Sequence, residues 1–411
     1  MTQRSRAVHR PALDFLRYIG PGMIVAVGFI DPGNWSANLA AGSQWGYKLL
    51  WVVTFSTLIL GYLQHNAAHL GIVTGECLSE NIARHMNAVV GKFVLVTAML
   101  AAISTAVAEV LGCALALQML FHLPLQIGAI LSGGLVVWLL LSNSYRRIEK
   151  VILALVSLVG ISFVIELFRA PVDWHAASVS LFVPSLPSGS IIVIMSVLGA
   201  VVMPTNLFLH SEIIQSRQWN LADEKVIQRQ LKFEFTDTIF SLSVGWVINC
   251  AIIVLAAASF FGKGTIVSEL SQAQVMLAPL LGSAAAVIFA LALLLTGIAA
   301  SLTAGMAGGS ILAGAFREPY DIGDAHSKAG VLATVIPAVL IVCFVTSPFN
   351  VLVFSQMLLG VQLPFTIASQ IYLTASGKVM GKYKNTRTMN VMLVLIGVFV
   401  TGLNLVLLVG V

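Results

Sequence analysis

The chain has 411 residues, of which 58% are hydrophobic and only 9% charged, with a formal net charge of +5. A water-soluble chain carries about 25% charged residues, so this composition excludes a soluble enzyme and points to an all-α integral membrane protein. The positive charge bears on membrane orientation, and no nucleic-acid partner is inferred from it.

Eleven apolar stretches approach the ~20 residues that cross a bilayer. They are 20–41, 48–72, 92–120, 125–142, 149–168, 190–213, 236–261, 275–314, 329–347, 350–375 and 388–410. The eighth is overlong and is expected to tilt or to include a half-helix. Placing the N-terminus in the cytoplasm and alternating sides puts 19 of the 22 Lys and Arg inside, with only Lys48, Arg169 and Lys263 elsewhere. This asymmetry predicts an N-in, C-out topology. The Arg-rich start leads into an apolar run that contains an acid and continues into more spans, so it reads as a cytoplasmic tail and not a cleavable signal. The four cysteines are scattered with no CxxC pair, which indicates neither a disulfide framework nor a zinc site. No cofactor is expected.

The first span carries Gly28-Phe-Ile-Asp31-Pro32-Gly33-Asn34-Trp35, with Asp31 as the lone formal charge between Gly20 and Ala41. Pro32 removes a backbone donor and Gly33 adds freedom, so the helix is expected to break beside the acid. Broken helices at membrane depth persist only where the freed carbonyls meet protein, water or an ion. A carboxylate, the Asn34 amide oxygen and unwound carbonyls make a hard-oxygen cation site. The plainer alternative is a proline kink whose acid bonds a neighbouring helix.

Span two ends in His65-Asn-Ala-Ala-His69, a spacing that shares one helix face and suits a transition metal. No third ligand is evident, which favours a structural or cytoplasm-facing role. Span three holds Glu109, a second acid at membrane depth that either pairs with a base or titrates along a proton path. Spans four and five carry no internal charge until Glu166 and read as scaffold.

After a polar segment at 171–190, span six reads Ala200-Val-Val-Met203-Pro204-Thr205-Asn206-Leu-Phe-Leu-His210-Ser211. A proline again falls mid-span, followed two residues later by Asn, as at Pro32 and Asn34. Five spans separate the two copies, and an odd number of spans inverts the second unit. Inverted repeats with discontinuous helices in matching positions mark a transporter's midplane site. Spans 1–5 and 6–10 would be the repeats, with span 11 added, all in one transport domain. The two breaks would bring Asp31, Asn34 and Met203 together with free carbonyls, including that of Ala200. Oxygens alone suit magnesium or calcium; a thioether favours manganese, iron, cobalt or cadmium. Packing is the simpler role for Met203, one of 13 methionines.

These two motifs and their spacing resemble the Nramp family of divalent-metal transporters. The likeness covers most of the chain, including Leu70-Gly-Ile-Val-Thr-Gly75, Asp237 with Asn249, and Ser355-Gln356 with Leu363-Pro364-Phe365. The resemblance implies a LeuT-like fold and secondary transport of Mn2+ or Fe2+ as substrate. It further implies that Asp31, Asn34, Met203 and the Ala200 carbonyl ligate the metal, joined by Gln356 in some states. Three departures stand out. Thr205 replaces the family's usual His, Ala106 replaces an Asp, and Ala299-Ala-Ser-Leu-Thr303 lacks the expected Gln. The His and Asp belong to the family's proton route, and Thr and Ala do not exchange protons near neutral pH. With those two groups absent, little or no stoichiometric proton flux is expected, although Glu109 and His210 remain as proton or gating candidates beside Thr205 and could serve a rerouted path.

Rival readings are a magnesium-permissive carrier, which Met203 disfavours, and a sodium-coupled amino-acid carrier, whose substrate carboxylate Asp31 would repel. No HExxH, GxSxG or CxxC supports a membrane enzyme. A channel needs no inverted pair of broken helices.

Overall fold

The computed structural model describes residues 31–142, 160–215 and 224–410, and among these it contains helices and no strand. In chain order they are α1 (Pro32–Trp45), α2 (Leu50–Thr74), α3 (Leu78–His85), α4 (Ala88–Phe121) and α5 (Leu125–Leu141). Next come α6 (160–167), α7 (Trp174–Ser180), α8 (Ile191–Val202), α9 (Pro204–Gln215) and α10 (Glu224–Ser259). The rest are α11 (Gln274–Leu281), α12 (Ala285–Ala315), α13 (Ala325–Cys343), α14 (Pro348–Ala375), α15 (Gly377–Met380) and α16 (Arg387–Gly410).

Among the described residues, eight segments are long and apolar enough to cross a membrane, and one of them, Pro32–Thr74, joins the first two expected stretches. The fourth stretch forms α5, shorter at 17 residues. Most of the fifth, and the first stretch before Asp31, lie outside the described residues. The overlong eighth stretch is broken. Gly282, at φ 57 and ψ −136 in a region closed to side-chain-bearing residues, ends α11, and a short 3-10 turn leads into α12. The seventh begins earlier than its hydropathy indicates, because α10 carries a charged first turn from Glu224.

Polarity is arranged as a bilayer demands. Large apolar side chains stay exposed on the outer helices, as with Phe344 (84%) and Leu408 (76%), whereas Asp31, Asn34, Glu109 and Gln356 are fully buried. In lipid the backbone groups must be satisfied without bulk water, which a helix does within itself, and the described membrane-embedded part is accordingly helical apart from its breaks. The centre is built by α4 packed along α12, α8 along α14, and α1 against α8, α10 and α14. That packing brings both discontinuous segments against α4 and α14.

Candidate functional site

The first break is visible from its second half. Asp31 is extended (φ −81, ψ 160) and caps α1, its Oδ1 accepting the Asn34 backbone N–H at 2.6 Å. Pro32 occupies the first helical position, where its missing N–H costs nothing. The carboxylate's other oxygen, Oδ2, is buried without a hydrogen-bond partner. The half-helix expected before Asp31 falls outside the described residues.

The second break is complete. α8 stops at Val202, and Met203 takes φ 30 and ψ 98 before Pro204 opens α9. A non-glycine residue there carries about 1–3 kcal/mol of strain, a cost met at functional sites. The Ala200 carbonyl lies four residues before Pro204, which has no N–H to offer it. The Met203 sulfur accepts from Asn206 Nδ2 at 3.3 Å, and the side chain packs with Ala101 and Leu359. Met203 therefore packs and also presents its sulfur beside a polar group.

Gln356 on α14 touches both breaks. A Cβ added at Gly33 would overlap the Gln356 carboxamide, and one added at Gly199 would overlap the Gln356 main-chain carbonyl. Glycine at each position lets the helices approach this closely. Both polar atoms of the Gln356 side chain are buried and unpartnered. A buried polar group left unpaired costs about 1–3 kcal/mol. Asp31 Oδ2 and the Gln356 carboxamide thus lie unsatisfied on elements that touch, beside an Ala200 carbonyl that Pro204 cannot serve, which suits the seat of a polar or ionic guest.

α4 runs past both breaks. Ala101, Thr105, Glu109 and Gly112 are spaced four, four and three and so share a face. Ala101 packs on Met203, the Thr105 hydroxyl is 3.4 Å from that of Thr205, and Gly112 abuts the Pro32 ring. Thr105 donates to the Ala101 carbonyl at 3.1 Å, so Thr205 is the donor between the two hydroxyls. Glu109, between Thr105 and Gly112 along this face, is close enough to Asp31 for electrostatic interaction, with both carboxyl oxygens buried and unpartnered. Ala106 is buried and brings no titratable group.

Two features were not legible beforehand. Asn38 and Asn249 both bond Asn34: Asn34 Nδ2 donates to Asn249 Oδ1 at 2.7 Å, and Asn38 Nδ2 donates to Asn34 Oδ1 at 3.2 Å and to Asn249 Oδ1 at 2.7 Å. This amide cluster fixes the Asn34 side chain. The four-residue spacing of Asn34 and Asn38 was its local signal, and Asn249 is named only through the family likeness. The second is Glu234, which the hydropathy boundary at 236 left outside span seven. Its Oε2 meets His65 Nδ1 at 2.8 Å, its Oε1 accepts from Thr238 at 2.8 Å, and His210 Nε2 lies 3.5 Å from Oε1. His210 therefore faces Glu234 and not a break. The His65 and His69 rings lie 6.3 Å apart. Among the described residues no three His, Cys, Asp or Glu side chains are grouped to hold a metal ion. A site at the breaks would instead combine one carboxylate, amide and main-chain oxygens, and a thioether, a mixed donor set suited to a borderline divalent ion.

A family model described as natural resistance-associated macrophage protein-like matches residues 22–410. A divalent metal cation transporter MntH from Granulibacter bethesdensis is 35% identical over 401 residues, covering 96% of this chain and 88% of that protein. The MntH of Caldanaerobacter subterraneus subsp. tengcongensis is 33% identical over 395 residues, covering 95% and 92%. Among solved structures, an Eremococcus coleocola manganese transporter superposes with a TM-score of 0.78 at 28% identity, covering 98% of this chain and 88% of that one. Mhp1, a nucleobase-cation-symport-1 family transporter in a closed conformation, superposes with a TM-score of 0.63 at 16% identity over 95% and 91%, a likeness of fold alone.

Proposed function

This chain belongs to the Nramp family, and from that premise we propose that it imports Mn2+ or Fe2+ by alternating access through a site made by its two helix breaks. As a member it is a secondary transporter of divalent metal ions with a LeuT-like fold, and not an enzyme. The proposed ligands are Asp31, Asn34, the Ala200 carbonyl, Met203 and Gln356. One observation carries the reading: Gln356, itself unsatisfied, lies against the first turn of α1 and against α8, where Asp31 Oδ2 is unsatisfied as well. A dication held there would turn the uncompensated desolvation of Asp31 Oδ2 and of the Gln356 side-chain oxygen into ligation. The sulfur of Met203 would exchange Asn206 for a soft ion, giving preference over magnesium.

The domain is one transport unit with spans 1–5 (about 20–168) and 6–10 (about 190–375) as inverted repeats, and span 11 added. The charge bias supports a cytoplasmic N-terminus and an outer C-terminus. Metal flow is proposed to proceed with little or no stoichiometric proton flux. Thr205 and Ala106 cannot titrate near neutrality, and His210 is turned toward Glu234.

The decisive test is Asp31→Ala in proteoliposomes with an internal metal dye. The variant should insert normally and lose Mn2+ uptake. Wild-type uptake by the inserted variant sinks the site.

A further inference from the structure

Away from the helix breaks, a groove of about 780 Å³ opens between α2, α10 and the start of α16. Along α2 it runs from Thr54 to His69, fifteen residues or about 22 Å at ~1.5 Å each. A bilayer of about 40–45 Å including its headgroups has leaflets of about 20–22 Å, so the groove is one leaflet long.

Its lining is polarised from end to end. One end is walled by Leu58, Leu242 and Trp246, and the other by His65, His69 and Lys384. Four lining hydroxyls are engaged within the protein, and the half-exposed Tyr62 phenol is left to an occupant. Thr57 donates to the Val53 carbonyl at 2.8 Å, Ser243 to the Ile239 carbonyl at 2.8 Å, and Thr238 to Glu234 at 2.8 Å; Thr54 accepts from Trp246 Nε1 at 3.1 Å. What remains for an occupant along the shaft is mostly hydrocarbon. At the mouth, Lys382 is engaged by Glu224 at 2.8 Å, whereas Lys384 is exposed and makes no ion pair among the described residues.

We propose that this groove binds one anionic phospholipid from the leaflet bordering residues 376–386, with acyl chain along α2 and α10 and phosphate at Lys384. An amphiphile with a single negative end matches the gradient; a helix from a second copy would need an apolar lining throughout. Basic pockets between membrane helices recognise lipid headgroups in this way. By the orientation proposed above, that leaflet is the cytoplasmic one, but the site itself does not depend on the orientation.

The test is native mass spectrometry of the delipidated full chain in detergent, with phosphatidylglycerol or phosphatidylcholine of identical chains added back. Wild type should retain phosphatidylglycerol over phosphatidylcholine. Lys384→Gln should weaken phosphatidylglycerol about fivefold, the factor one basic residue contributes near an anionic surface, and leave phosphatidylcholine unchanged. Lys378→Gln, outside the groove, should change neither. Ser243→Trp, which fills the shaft, should lower both. Should that variant fail to fold, the exposed Lys384 substitution decides alone. Equal retention of the two lipids by wild type, or unchanged phosphatidylglycerol binding in Lys384→Gln, overturns the proposal. So does a dimer peak abolished by Ser243→Trp, which would assign the groove to a second copy.

Discussion

Replacing Gly33 by Ala isolates the role of Gln356 without altering any proposed ligand. Gly33 does not have a positive φ, so its backbone accepts a side chain. In the first turn of α1, Ala is favoured over Gly by up to about 1 kcal/mol. The new Cβ would overlap Gln356 Nε2 and stand 2.6 Å from Gln356 Cδ, where ordinary contact begins near 3.4 Å, so the carboxamide must withdraw by at least about 0.8 Å. A lost contact between a charge and a dipole costs about 1.5–3 kcal/mol, or about 10- to 150-fold in Kd. Calorimetry with Mn2+ on Gly33→Ala, Gln356→Ala and the double variant is the assay. Each single variant should weaken binding within that range, and the double should be no weaker than Gln356→Ala, because both act on one contact. Additive losses, or wild-type affinity in Gly33→Ala, would refute the idea that Gln356 reaches the metal.

Met203→Ala should weaken Mn2+ and Cd2+ binding more than Mg2+ or Ca2+, since only the softer ions use sulfur; equal calorimetric losses for all four would leave Met203 a packing residue. In vesicles at fixed potential, a divalent ion gains about 4.6 kcal/mol per 100 mV, about three decades of accumulation, so import should proceed without a pH gradient. An internal pH dye should register little Mn2+-dependent proton entry. Proton entry that requires Mn2+ and vanishes in Glu109→Gln would show coupling through the retained acid.

Most of the membrane-spanning stretches within the described residues, and the break at Met203, were legible in the sequence because their causes are local. Span length follows from bilayer thickness, and a proline lacks its N–H wherever the chain goes. Asp31 and Met203 could be singled out by position alone, as a lone charge and as a thioether at a break. Which groups meet was decided only by the tertiary structure. Gln356 could be named only through the family likeness, and nothing local places its carboxamide against Gly33. Asn249 meets Asn34 across 215 positions, Glu234 gathers His65 and His210 from two other helices, and the groove beside α2 needs three elements. The reason is physical. A soluble helix shows its buried face as an apolar stripe, but helices in lipid are apolar nearly all round, so their hydropathy does not record which side turns inward. Packing of small residues such as Gly33, Gly112 and Gly199 sets those faces, and with them the partners of every buried polar group.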